Sequence, residues 1–215
     1  MTTGWDSASF EELDSIPIHE SLVWHPVRKR FGIEAFGINA YTSQEIGGLV
    51  IEEHDELGGG ASGHEEVYVV VNGHATFTIG EDTKDAPAGT LVYVADPALR
   101  RSAVSNAAGT LVLAIGGGRN AAYAVPAWEV YFSAMPLFQQ ERWPEAIAMI
   151  EAGLVDRPGH PAILYNLACA ESRGGKPLEA LTHLQQAIKG NPKYLAAAHG
   201  DPDFDPIRRE PGFPA

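Results

Sequence analysis

The apolar residues in the first 120 positions form short runs rich in β-branched and aromatic side chains. These runs lie at 49–51, 67–71, 76–79, 91–94 and 111–115, and glycine or proline separates them. Several short runs at this spacing predict an antiparallel β sandwich or barrel. Asn72-Gly73, between the second and third runs, predicts a tight hairpin because both residues tolerate a positive φ.

The pattern becomes helical after residue 125, where alanine, leucine and glutamine dominate. Proline and glycine mark the expected helix ends at 143–144, 157–159, 174–175 and 190–192. The predicted fold class is therefore α+β, with a β domain followed by a short all-α domain. We expect a polar N-terminal tail over 1–17, the β domain over 18–122 and the helical domain over 126–212.

The helical part repeats with an offset of 34 residues. The offset aligns pairs of small or apolar residues and one pair of prolines: Ala134 with Ala168, Ala146 with Ala180, Ile150 with Leu184, and Pro158 with Pro192. Such a period is typical of helical repeats, and the segments 127–158 and 160–192 resemble tetratricopeptide repeats. Two units are too few for a long groove of their own. We expect the helices either to stabilise a dimer or to recruit a protein partner.

Charge and composition exclude several classes of function. The formal net charge is −13, from 28 acidic and 15 basic residues, which argues against nucleic-acid binding. No apolar run approaches the ~20 residues of a membrane span, and the first ten residues lack the features of a signal peptide. The single cysteine, Cys169, excludes an internal disulfide and favours a cytoplasmic location.

The β half carries one motif with informative spacing. Six residues separate Glu66 from Gly73, and a proline- and glycine-containing turn followed by a strand comes at 87–94. This order resembles the cupin family over about residues 20–120. The resemblance implies a jelly-roll barrel, a small-molecule ligand and a homodimer formed through β-sheet contacts.

Many cupins bind a metal through a first motif of Gly, five residues, His-x-His, three or four residues, Glu, six residues and Gly. Counted back from Glu66, the histidine positions hold small residues that offer no imidazole: Gly60 and Ser62, or Gly59 and Ala61. Counted forward from Gly48, His54 matches the first histidine and Glu56 replaces the second. The second alignment implies a glycine-rich insertion before Glu66.

The candidate metal ligands are two imidazoles and two carboxylates: His54, Glu56, His64 and Glu66. His64 and Glu66 are two residues apart, so on one strand they share a face. Such a set suits a divalent transition metal, either Fe, Mn, Ni or Zn.

The second cupin motif supplies another histidine, and here arginine stands in its place, at Arg100 or Arg101. Arginine stays protonated and is not an ordinary metal ligand. An arginine that faces the interior can pair with Glu66 or hold an anionic ligand. The predicted ligand-binding residues are therefore Glu66, Arg100, Arg101 and Tyr68.

Two functions follow from these residues. The first is a cupin-type module that binds a small anionic molecule, has an atypical or absent metal site, and is coupled to a helical domain for protein interaction or oligomerisation. The second is a metal-dependent enzyme of the dioxygenase or isomerase type that uses His54, His64 and Glu66, with Arg101 holding a substrate carboxylate. The sequence leaves open which of the two applies.

Overall fold

A computed structural model describes residues 6–57, 63–118, 123 and 125–215, and the chain divides into two compact units, Met1–Val125 and Pro126–Ala215. The described part of the first unit contains ten strands: β1 (Ile16–Pro17), β2 (Leu22–His25), β3 (Gly37–Ser43), β4 (Leu49–His54), β5 (His64–Asn72), β6 (His74–Ile79), β7 (Asp82–Pro87), β8 (Leu91–Val94), β9 (Arg101–Ser105) and β10 (Thr110–Gly118). A short helix, α1 (Val27–Phe31), connects β2 to β3.

The strands form two antiparallel sheets. One has the order β1-β2-β3-β10-β5-β8 and the other the order β4-β9-β6-β7. From β3 to β10, the chain places the first and last strands side by side and moves repeatedly between the sheets, which is the topology of a jelly roll. The predicted fold class, a β jelly roll followed by an all-α unit, is confirmed.

The main core of this unit lies between the two sheets. Successive side chains on a strand point to opposite faces, so Tyr68 and Val70 of β5 face Phe77 of β6 in the interior. The outer face of the six-stranded sheet carries a second cluster. There Leu13 packs with Ala40 and Leu111, so part of the segment expected to be a polar tail covers the sheet.

The Asn72-Gly73 turn is not a hairpin, and this expectation was wrong. β5 pairs with β10 and β8, whereas β6 pairs with β7 and β9, so the turn carries the chain from one sheet to the other. Gly73 has a φ of 75°, and a Cβ there would lie 2.7 Å from the Cα of Thr110. The dipeptide predicted the sharp turn correctly, but local sequence does not specify which sheet the next strand joins.

The second unit consists of five helices and a terminal 3-10 turn, Pro202–Phe204, within 126–215. The helices are α2 (Ala127–Gln139), α3 (Trp143–Asp156), α4 (Pro161–Arg173), α5 (Pro177–Gly190) and α6 (Lys193–Gly200). Proline occupies the first turn of α3, α4 and α5, where its missing N–H is tolerated. None of the helices among the described residues is both long and apolar enough to cross a lipid bilayer.

Each helix packs against the next, and small residues lie at the contacts. Ala134, Ala146, Ala168 and Ala180, the two alanine pairs of the 34-residue repeat, are all completely buried. An alanine lets two helix backbones approach closely, which explains why small residues recur at this offset. The assignment of these hairpins to the tetratricopeptide family stays a prediction.

A part-buried ion pair connects α4 to α5. His183 Nδ1 lies 2.8 Å from Glu171 Oε2, and Glu171 is almost fully buried. The hydrogen bond to Glu171 raises the pKa of His183 against the opposing effect of burial, and the charges of Glu151 and Glu179 raise it further.

The pair predicts a pH-dependent stability. Because the folded-state pKa of His183 is raised, its stabilising contribution is complete below the unfolded value of about 6.5 and is lost as the pH rises through the folded value. We expect the difference in unfolding free energy between wild type and His183→Gln to be larger at about pH 5.5 than at about pH 8.5. Urea denaturation at the two pH values measures this difference in unfolding free energy, and His19→Gln is the control. If wild type and His183→Gln differ by the same unfolding free energy at both pH values, the prediction is contradicted.

Candidate functional site

Five polar side chains meet between the two sheets at one end of the jelly roll. Glu66 and Tyr68 alternate with outward-facing residues on β5, so both point into the interior. Arg101 at the start of β9 pairs in register with His54 at the end of β4, and Glu56 follows two residues later. We call His54, Glu56, Glu66, Tyr68 and Arg101 the polar centre.

An ion pair between Arg101 and Glu66 organises this centre. The Arg101 side chain is completely buried, and its Nε and Nη2 donate to Glu66 Oε2 at 3.2 and 3.0 Å. Nη1 donates to the carbonyl oxygens of Pro97 and Leu99 at 3.2 and 2.8 Å. These contacts engage four of the five N–H groups of the guanidinium inside the protein.

The same oxygen of Glu66 also accepts a hydrogen bond from the Tyr68 hydroxyl. Burial alone would raise the pKa of Glu66, but the close contact with His54, the hydrogen bond from Tyr68 and the charges of His54 and Arg101 outweigh it and hold the pKa below its usual value. Burial and the Glu66 charge raise the pKa of Tyr68 well above its usual value. At neutral pH Glu66 is therefore an ionised carboxylate that accepts hydrogen bonds from the Tyr68 phenol and the Arg101 guanidinium.

His54 is the member of the centre that solvent reaches most, with a side chain 33% exposed. Its Nδ1 lies 2.8 Å from the carbonyl oxygen of Glu52, which only accepts, so Nδ1 carries a proton. Nε2 lies 3.3 Å from the Tyr68 hydroxyl and 3.6 Å from an oxygen of both Glu56 and Glu66. Burial lowers the pKa of His54, but these contacts with Glu66 and Glu52 raise it above its ordinary value.

Glu56 connects the centre to His64. Burial, with the nearby charge of Glu66, raises the pKa of Glu56 to about 7. Glu56 Oε2 lies 3.4 Å from His64 Nδ1, and the His64 ring stacks on Tyr123 with centroids 5.5 Å apart. His64 therefore contacts the polar centre through Glu56.

Two glycines make room for these side chains. Glu66 lies opposite Gly116 on β10, which in turn lies opposite Gly37 on β3. A Cβ at Gly116 would lie 2.9 Å from Glu66 Cγ, and one at Gly37 would lie 2.8 Å from the Tyr123 hydroxyl oxygen. Glu66 and Tyr123 therefore fit at this level of the sheet only because Gly116 and Gly37 have no side chains.

The structure does not bring Arg100 to this site. Its Nε lies 2.6 Å from Glu53 Oε1 on the outer surface, and both side chains are more than half exposed. The sequence left Arg100 and Arg101 as alternatives, and Arg101 is the inward residue. The first cupin alignment, which placed Gly59 to Ser62 at the histidine positions, lies outside the described residues. Tyr123 was missed because it belongs to no motif.

Three potential metal ligands converge, but the set does not fit a divalent cation while Arg101 holds Glu66. Ligand atoms of His54, Glu56 and Glu66 lie within 4.8 Å of one another, and the Nδ1–carbonyl bond of His54 is typical of metal-binding histidines. The near oxygen of Glu66 already accepts bonds from Arg101 and Tyr68. A cation there would be repelled by the guanidinium, by about 4 kcal/mol for each pair of unit charges at ~4 Å.

No protein-family model and no curated protein matches this chain. Among solved structures, it is similar to an RmlC-like cupin from Shewanella frigidimarina, with 18% identity, a TM-score of 0.42, and coverage of 53% of this chain and 91% of that one. KdgF from a Halomonas species shows 14% identity and a TM-score of 0.42, covering 51% and 92% of the two chains. A cupin-superfamily sugar phosphate isomerase from Silicibacter pomeroyi shows 11% identity and a TM-score of 0.43, covering 53% and 76%.

The two adjacent arginines provide a matched test of the ion pair. Arg101→Ala leaves Glu66 buried without its main partner and should lower the unfolding free energy by about 3–5 kcal/mol. Arg100→Ala removes the exposed ion pair with Glu53 and should lower the unfolding free energy by no more than about 1 kcal/mol. Chemical denaturation of both variants measures the difference, and equal losses would disprove the assigned orientations.

The adjacent glycines of β10 test the space beside Glu66. Gly116→Ala places a methyl group against Glu66 and should cost about 1–3 kcal/mol of stability. A Cβ at Gly117 would have no neighbouring atom within 4 Å, so Gly117→Ala should leave the unfolding free energy nearly unchanged. Urea denaturation of the two variants checks this prediction, and a tolerated Gly116→Ala would show that Glu66 has room to move.

Proposed function

We propose that the first unit is a non-catalytic small-molecule-binding module in which the Arg101–Glu66 ion pair takes the place of a metal centre. The observation that supports this most strongly is the pair of hydrogen bonds from the buried guanidinium to Glu66 Oε2. In the cupin resemblance, this glutamate is a metal ligand and the arginine position is a histidine. Here the arginine neutralises the carboxylate directly, so the site needs no ion to balance its charge.

The contacts of Arg101 also bear on the ligand. The sequence left open whether the inward arginine pairs with Glu66 or holds an anionic ligand, and four N–H groups of Arg101 bond to Glu66, Pro97 and Leu99. An anion would instead face the carboxyl groups of Glu66 and Glu56. We therefore propose that the ligand approaches past the part-exposed His54 and donates hydrogen bonds to the site.

The metal-dependent enzyme remains a second candidate because of one observation. His54, Glu56 and Glu66 offer three ligand atoms within 4.8 Å of one another. This candidate requires Glu66 to be released from Arg101, and His64, which contacts Glu56 but is outside the converging group, would have to move to act as a further ligand. Metal content separates the two candidates.

For the helical unit, we propose a role in protein interaction or in formation of a homodimer. The support comes from its repeat and from two large apolar residues on its surface, Val155 and Leu178, which are 77% and 76% exposed. Its one thiol, Cys169, is buried, and burial raises its pKa well above the usual value. Such a thiol has a structural role and suits the proposed cytoplasmic location.

Metal content tests the proposal for the first unit. We expect elemental mass spectrometry of untagged protein, purified without chelator, to find only trace transition metal in wild type, His54→Ala and His74→Ala. His74 is the matched control because it pairs with Asp85 on the barrel surface. Near-stoichiometric metal that His54→Ala loses and His74→Ala keeps would instead support the enzyme.

A gain-of-function variant makes the same test sharper. Arg101→His removes the cation beside Glu66 and places an imidazole opposite His54 in the β4–β9 register. We expect this variant to bind Zn²⁺ at least about tenfold more tightly than wild type in calorimetric titration, because a divalent cation no longer meets the guanidinium. Equal affinity would show that Arg101 does not control access to the metal ligands.

A further inference from the structure

A cleft between α1 and the segment that precedes β1 is bordered by side chains of both charges. Glu12 and Asp14 come from the segment, Lys29 and Arg30 come from the helix, and Pro26 completes the lining. We call it the outer cleft, because no residue of the polar centre borders it. Its volume is about 210 Å³. Pockets for drug-sized ligands begin at about 300 Å³, so the outer cleft suits a smaller molecule.

Both segments that border the outer cleft are anchored to the outer face of the six-stranded sheet. Leu13, between the two acidic residues, and Val27, at the start of α1, belong to one buried apolar cluster. His25 is also buried, and its Nδ1 donates to the carbonyl oxygen of Asp14 at 3.2 Å. The backbones that carry the acidic and the basic side chains are therefore held in place by packing and by a hydrogen bond.

The opposite charges of the outer cleft do not pair with each other. Among the residues that the structure describes, no ion pair joins the two acidic side chains of the cleft to Lys29 or Arg30. Arg30 pairs instead with Asp6, at 2.8 Å. The side chains of Asp14 and Lys29 thus offer one negative and one positive charge at the same cleft.

We propose that the outer cleft binds a small zwitterion of the α-amino-acid class, whose ammonium group donates to Asp14 and whose carboxylate accepts from Lys29. A simple anion would face the two carboxylates of the cleft, and a simple cation would face Lys29 and Arg30. An uncharged molecule would displace water from charged groups without replacing its interactions. Only a molecule with both charges presents each side of the cleft with the opposite sign.

NMR titration of the isotope-labelled full chain with glycine tests this proposal. We expect saturable shifts at the backbone amides of 12–14 and 27–31, with weak affinity because exposed ion pairs contribute little. Acetate and methylammonium each carry only one of the two charges and should bind at least about fivefold more weakly, the effect of one lost exposed pair. The absence of saturable shifts with glycine, or equal binding of acetate, would overturn the proposal.

Charge reversal supplies the matched variants. Asp14→Lys and Lys29→Asp should each weaken glycine binding at least about fivefold, because an attractive contact becomes repulsive. The double variant should bind glycine as wild type does, since the ligand then enters in the opposite orientation. Lys84→Asp, an exposed position on β7 outside the cleft, is the control and should not change binding. Single variants that bind like wild type, or a double variant that binds as weakly as they do, would overturn the proposal.

Melting temperatures show whether the variants keep the fold. Asp14 and Lys29 are exposed, so we expect the variants to melt close to wild type. If a reversed variant does not fold, Asp14→Asn and Lys29→Gln remove one charge each and should weaken glycine binding about two- to fivefold. Unchanged binding in both would overturn the proposal. The function proposed for the polar centre does not depend on this result, because metal content tests it separately.

Discussion

The buried contact between Arg101 and Glu66 joins the two sheets of the jelly roll at their polar end. Either charge alone would be very costly in this interior, so each residue depends on the other. The pair also determines its surroundings. Glu66 stays ionised and accepts from Tyr68, and its charge raises the pKa of His54 and of Glu56. The charge of Glu66 therefore acts, together with burial, on the pKa values of His54, Glu56 and Tyr68.

Much of the architecture was predictable because it depends on local patterns. Runs of β-branched residues indicated several of the strands, and Pro144 indicated where α3 begins. Cupin-like spacing singled out His54, Glu56 and Glu66, which the structure brings together. The spacing could not separate Arg100 from Arg101, since adjacent residues on a strand point to opposite faces and the sequence does not specify the register.

The remaining residues of the site depend on pairings between distant strands. Tyr123 stacks on His64 and lies beside Gly37, which are distant from one another in sequence, and no short motif contains that information. Gly37 and Gly116 look like ordinary breaks in the sequence. Their role is evident only when they lie in one row with Glu66, where a side chain on either would collide with its neighbours.

The pairing of β3 with β10 also has a consequence for synthesis of the chain. Residues 37–43 have their partners at 110–116, so the six-stranded sheet cannot close until β10 has left the ribosome. Until then β3 exposes an unpaired edge, and closing such a long loop makes folding slow. The helical unit is made afterwards and rests on contacts between consecutive helices, which form quickly. The unit that is translated after the jelly roll is therefore better suited than the jelly roll to fold without delay.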